Sequence, residues 1–335
     1  MTKYLLPALC LSLSLSTAWA QTEAPPTEAE PAAAPGETVL LVGQRPGPGL
    51  WKVSKDGHVL WVFGSYGPLP EKMEWRSQQV ENILSQSQEY LAPPGASAHV
   101  GILRGLTLLP KLIGLKKNPD GASLKEVLPA DIYARWQPLK AKYLPRNNDV
   151  EQERPIFAAQ ALFDAGLKQA GLNKGQAVGA KLRGIVKEHN IKVTETAIAL
   201  DTSGASQALS DFKNSSLADT ECFTKTVSRL EQDLDGMRVR ANAWAKGDLE
   251  GIQKLSYPDQ ESACDDAMMG AGFVKNQPGW QNLEQRIQDA WVIAAEKAIS
   301  TNNTSFAVLG LGNILGSRNY LAALKAKGYQ IDAPD

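Results

Sequence analysis

Two apolar runs separated by a turn form the clearest pattern in the chain. Residues 50–54 and 58–64 are mostly apolar, β-branched or aromatic, and Lys55-Asp56-Gly57 lies between them. Asp-Gly supplies the positive φ of a tight turn, so the pattern predicts a β-hairpin. Further strands are expected at 38–43 (TVLLVG), at 89–92 before Pro93-Pro94-Gly95, at 191–197, and at 304–309 (TSFAVL). Helical spacing governs most of the rest. Val80, Ile83 and Leu84 follow Ser77, a candidate N-cap. Residues 123–144 read as helical with breaks at Pro129 and Pro138. Pro155 opens a helix to Ala170 with Ala158, Ala161, Leu162 and Ala165 on one face, and 179–188 reads as another. The most regular stripe is Phe223, Val227, Leu230, Leu234, Met237, Ala241 and Trp244, whose steps alternate four and three and predict one long helix. Gly247 suits its C-cap, and Asp248 suits the cap of a following helix. Trp280, Leu283, Ile287, Ala290, Trp291 and Ala294 predict a second amphipathic helix. Residues 201–216 are polar and irregular in pattern.

An N-terminal hairpin, a helical middle and C-terminal strands together predict one α+β domain. Its mixed β-sheet would be flanked by helices, with the middle packed as a helical insert. The expected organisation is a signal peptide over 1–20, a Pro/Ala/Glu-rich disordered tether over 21–37, and the domain over 38–335.

The signal reading rests on Lys3, an apolar stretch from Leu5 to Thr17, and Ala18-Trp19-Ala20 before Gln21. It predicts export to a periplasmic or extracellular home. The best later apolar stretch, 100–115, is broken by Arg104, Pro110 and Lys111, so no membrane span is expected. With 35 basic and 36 acidic residues the formal charge is −1, which offers no basis for nucleic-acid binding. Cys222 and Cys264 remain after the signal is removed, and in an oxidising compartment they predict a disulfide. Neither has a histidine or further cysteine at ligand spacing.

Several motifs resemble those of TraB/GumN-type proteins. That family opens on a hairpin followed by Gly-Thr-x-His. Here Gly64 and Ser65 fit the first pair, and Gly67 stands at the histidine position. The family strand ending in Val-Leu-Glu aligns with 90–92, placing Ala92 at the glutamate, with Glu89 nearby. Glu195-Thr196 fits a Leu-Glu-Thr segment, and Trp244 to Asp248 fits Trp-x-x-Gly-Asp. Near the end, Gly310, Gly316, Leu324, Gly328 and Tyr329 fall without a gap on strand, Gly-Ala-x-His-Leu-x-Gly, helix, Gly-Tyr. Asn313 occupies the histidine position. The resemblance implies a fold related to erythromycin-esterase and ChaN-like proteins. It also implies an ancestral metal-dependent peptidase or hydrolase whose site lies where two strand ends meet.

By that resemblance Ser65, Tyr66, Gly67, Asn313 and Glu195 line a shared cleft. A catalytic divalent metal needs about three imidazole or carboxylate ligands. Gly67 has no side chain and Asn313 offers only a neutral amide oxygen, so no metal ligands or catalytic residues are assigned. The expectation is a pseudoenzyme, without a cofactor, that binds a peptide, a saccharide or an envelope protein. The competing reading is a hydrolase that holds Mn, Co or Zn through substitute ligands. His58, His99 and His189 are the chain's only histidines and are expected at surface or turn positions. There is no Gly-x-Ser-x-Gly elbow, and the Gly310-x-Gly312 turn lacks the spacing and following chain of a dinucleotide loop.

Overall fold

The computed structural model describes residues 47–215, 217–254, 260–269 and 280–334. The expected signal, tether and 38–43 strand lie outside these residues. The fold is α+β. The strands among the described residues are β1 (Leu50–Lys55), β2 (His58–Ser65), β3 (Leu69–Pro70), β4 (Glu89–Leu91), β5 (Ala96–Ser97), β6 (Leu172–Asn173), β7 (Lys192–Thr194), β8 (Ile198–Ala199), β9 (Thr304–Gly310) and β10 (Gln330–Asp332). A six-stranded mixed sheet has the order β10-β1-β2-β9-β4-β7. The β1–β2 hairpin and β10 are antiparallel, whereas β2, β9, β4 and β7 run parallel. The hairpin forms as its pattern requires, with Asp56 and Gly57 at φ 52° and 84°.

The described helices are α1 (Gln78–Ser85), α2 (Ile102–Leu112), α3 (Leu124–Val127), α4 (Ala130–Tyr143), α5 (Pro155–Gln169), α6 (Gln176–Glu188), α7 (Ala205–Asn214), α8 (Thr220–Gln232), α9 (Leu234–Ala245), α10 (Leu249–Lys254), α11 (Gln260–Met269), α12 (Leu283–Thr301), α13 (Leu311–Leu315) and α14 (Tyr320–Ala326). The sheet core gathers Leu60, Val62, Phe63, Leu91, Phe306 and Leu309 with Leu84 of α1, Leu182 of α6 and Trp291 of α12. A second core lies in the helical insert and joins Leu124, Trp136, Leu162, Phe223 and Leu230. A disulfide between Cys222 and Cys264 ties α8 to α11, as the cysteine count predicts.

Several elements differ from expectation for identifiable reasons. The Phe223–Trp244 stripe is carried by two helices, because Asp233 leaves helical geometry at φ −120°, ψ 2°. Its carboxylate accepts from the buried Arg240 guanidinium and lies 3.8 Å from Arg229 Nε. The bend lets one stripe serve two cores: Phe223 to Met237 fill the insert, while Ala241 and Trp244 join the sheet core. Pro129 ends one helix and precedes the next, but Pro138 sits inside α4 without stopping it. There, buried Trp136 and Leu139 and the Trp136 indole bond to Glu151 at 2.9 Å outweigh the missing donor. Trp280 precedes α12 rather than joining it, and Ser77 makes no side-chain cap. The polar 201–216 stretch contains α7. Arg154, 2% exposed, donates to the carbonyls of Phe212 and Lys213 at 2.8 and 2.9 Å, placing a cation at that helix's carboxyl end. Gly247 takes φ 73°, and Asp248 Oδ1 accepts from the Gly251 N–H at 2.9 Å, as expected.

Candidate functional site

Because β2, β9, β4 and β7 are parallel, their carboxyl ends share one edge of the sheet. That edge is where α/β sheets commonly place ligands. Ser65 pairs with Gly310, and Leu91 pairs with both Ala307 and Thr194, so β2 and β9 reach furthest. Tyr66 and Gly67 follow β2, Ala92 follows β4, Glu195 follows β7, and Asn313 lies in the first turns after β9.

Gly64 is required by a close approach. A Cβ there would lie 2.6 Å from both Leu311 Cδ2 and Trp51 Cζ3. Its carbonyl accepts from the Trp244 indole N–H at 2.8 Å, which brings α9 against the end of β2. The Ser65 hydroxyl donates to the Leu309 carbonyl at 3.1 Å and so joins the two strand ends. The Tyr66 hydroxyl accepts from Arg240 Nε at 3.1 Å. Burial works to lower the Arg240 pKa, but the Asp233 carboxylate and Tyr66 outweigh it and hold it above the ordinary value. Arg240 and Asp233 were not singled out by sequence reasoning. Seven residues apart, they lack the three- or four-residue spacing that marks an ion pair along a helix.

Gly67 precedes Pro68 through a cis peptide bond, and a Cβ at Gly67 would lie 3.3 Å from the Lys174 carbonyl oxygen. A cavity of about 440 Å³ opens beside this turn, lined by Leu69, Met73, Trp75, Asn173, Val178 and Lys181 among others. Gly175 also lines it and packs on the Tyr66 carbonyl. The Trp75 ring is anchored against Phe63 and Trp244 at centroid distances of 5.8 and 5.7 Å, while Lys181 Nζ lies over it at 5.7 Å. Lys181 pairs with Glu81 at 2.5 Å.

The predicted cleft residues therefore divide. Ser65, Tyr66 and Gly67 are consecutive at the end of β2, while half-buried Asn313 lies three residues beyond Gly310, the register partner of Ser65. Glu195 is exposed and follows a strand three places away from β2 in the sheet. At about 4.8 Å per strand that is roughly 14 Å, too far to share a first contact with Ser65. The neighbouring carboxylate, Glu89, sits at the other end of β4. It accepts from Thr194 Oγ1, from Lys192 Nζ at 2.9 Å and from Asn302 Nδ2 at 2.6 Å. Burial works to raise its pKa, but these three donors together hold it below the ordinary carboxylate value.

Among the described residues, the two motif positions expected to hold histidine at this edge carry no imidazole. Position 67 has no side chain, and position 313 has a neutral amide. His58 begins β2 and binds the Asn302 carbonyl at 2.7 Å through Nδ1, while His189 caps the carboxyl end of α6 just before β7. Both lie at the opposite edge. His99 is exposed in the loop after β5. Among the described residues no three His, Cys, Asp or Glu side chains converge to hold a metal ion.

Comparison with curated proteins and with solved structures found no match. A family profile, by contrast, matches residues 49–333, from the residue before the hairpin to the residue after the last strand. The chain belongs to the TraB/PrgY/gumN family.

Proposed function

We propose that this protein is exported to the cell envelope and acts there by binding a peptide, a saccharide or a protein partner, not by metal-dependent hydrolysis. The observation that carries this reading is the pairing of a cavity with an unreactive donor set. The cavity of about 440 Å³ beside Gly67 has an anchored aromatic ring, Trp75, and polar groups from Asn173 and Lys181. The strand ends next to it offer Ser65, Tyr66 and Asn313, which donate and accept hydrogen bonds but have little acid-base strength near neutral pH. Such a mixture of apolar floor and few oriented polar groups suits recognition. Trp244 holds the Gly64 carbonyl and Arg240 the Tyr66 hydroxyl, so this strand end is pre-organised and loses little freedom when occupied.

The test is to purify the mature protein, equilibrate it separately with Mn, Co and Zn, and measure both bound metal and cleavage of a fluorogenic peptide library. The reading expects substoichiometric metal and no cleavage above buffer. One ion per chain together with peptide cleavage would overturn it in favour of a hydrolase with substitute ligands.

A further inference from the structure

Helix α2 carries its apolar face outward. Leu108 is buried, and Lys111 turns toward α7, where its ammonium donates to the Ser206 carbonyl and the Ser210 hydroxyl at 3.0 Å each. Leu106, Leu109 and Leu112 are 58%, 53% and 46% exposed, and Ile113, just past the helix, is 75% exposed. At 3.6 residues per turn the three leucines fall within about a third of the helix circumference. Elsewhere among the described residues Val127, Val193, Val239 and Ile293 are exposed singly. Isolated exposed residues are ordinary on a folded surface, whereas a contiguous patch marks an interaction site.

Charge selects the occupant. No Asp or Glu occurs from Tyr90 to Pro119, although the chain has 36 acidic residues in 335. The same stretch holds Arg104, Lys111, Lys116 and Lys117, and the last two are exposed. An apolar stripe followed by two exposed lysines, in a stretch of chain that carries no acid, matches a surface that is negative outside and hydrocarbon beneath. A protein groove would satisfy the leucines but gives no reason for the missing acids. We propose that α2 docks this protein peripherally on an anionic lipid bilayer, its leucines at the acyl boundary and Lys116 and Lys117 at the headgroups. The helix would lie on the membrane, since no described helix is long and apolar enough to cross one. This inference is independent of what the cleft binds.

The experiment is co-sedimentation of the mature full chain with vesicles of phosphatidylcholine plus phosphatidylglycerol, and with phosphatidylcholine alone. Binding to the mixed vesicles should be at least about tenfold stronger and should fall with added salt. The exposed triple variant Leu106→Ser/Leu109→Ser/Ile113→Ser should lose binding while keeping the wild-type circular dichroism spectrum. Lys116→Glu/Lys117→Glu should weaken binding by at least about tenfold. Absence of binding to the mixed vesicles, or binding that the triple variant leaves unchanged, would overturn the proposal. Self-association abolished by the triple variant, with no vesicle binding, would overturn it in favour of a second copy on this face.

Discussion

At Gly64 a single hydrogen in place of a methyl group decides whether β2 can end where it does. The strand end is wedged between Trp51 and Leu311, and its carbonyl is held by Trp244. Gly64→Ala must displace one of those side chains and is expected to cost about 1–3 kcal/mol, read from the urea midpoint at unchanged m value. Glu89 shows the opposite case, a buried charge that is fully served. Its folded pKa is depressed, so its contribution is present above the ordinary value of 4.5 and is lost as pH falls through the lower folded value. Glu89→Gln should cost about 1–3 kcal/mol at neutral pH and should flatten the loss of stability below that value, measured by denaturation across an acid pH series. Equal acid sensitivity in wild type and variant would contradict the assignment. The glycine at 64 was legible as a motif, but its reason was not. Trp51 precedes it by thirteen positions and Leu311 follows it by far more, and only the fold brings them together.

The bend between α8 and α9 shows how an element can serve two structures. Asp233 is the anion for Arg240, which in turn donates to Tyr66, and it lies near Arg229. Asp233→Ala removes a carboxylate from two buried guanidinium groups and is expected to cost about 3–5 kcal/mol by chemical denaturation. Asp233→Ala/Arg240→Met should recover part of that loss, whereas two independent losses that simply add would contradict the coupling. Local pattern revealed the apolar stripe and the cap at Gly247, because both are set by spacing along the chain. It did not reveal the bend, since the four-three rhythm continues through Asp233. Nor did it reveal α7, whose carboxyl end is held by Arg154, the residue before α5, distant in sequence. The hairpin was fully legible because its turn chemistry and both strands are contiguous.

For the whole molecule, the sheet order separates what the motifs appeared to gather. Residues 65–67 and Asn313 stand at or just after the adjacent ends of β2 and β9, while Glu195 is set apart by β9 and β4. Strand order is a long-range property, so no reading of local sequence could place that glutamate. The fold class and the family were legible, because glycines and aromatics at fixed spacing report the two sheet termini directly. A cavity of about 440 Å³ and the anchored Trp75 ring lie beside the carboxyl end of β2. The most direct test of the binding account is to soak crystals of the mature protein in Mn, Co or Zn and record anomalous scattering. The account predicts no ordered cation between the carboxyl ends of β2 and β9. A cation coordinated there by protein side chains would contradict it.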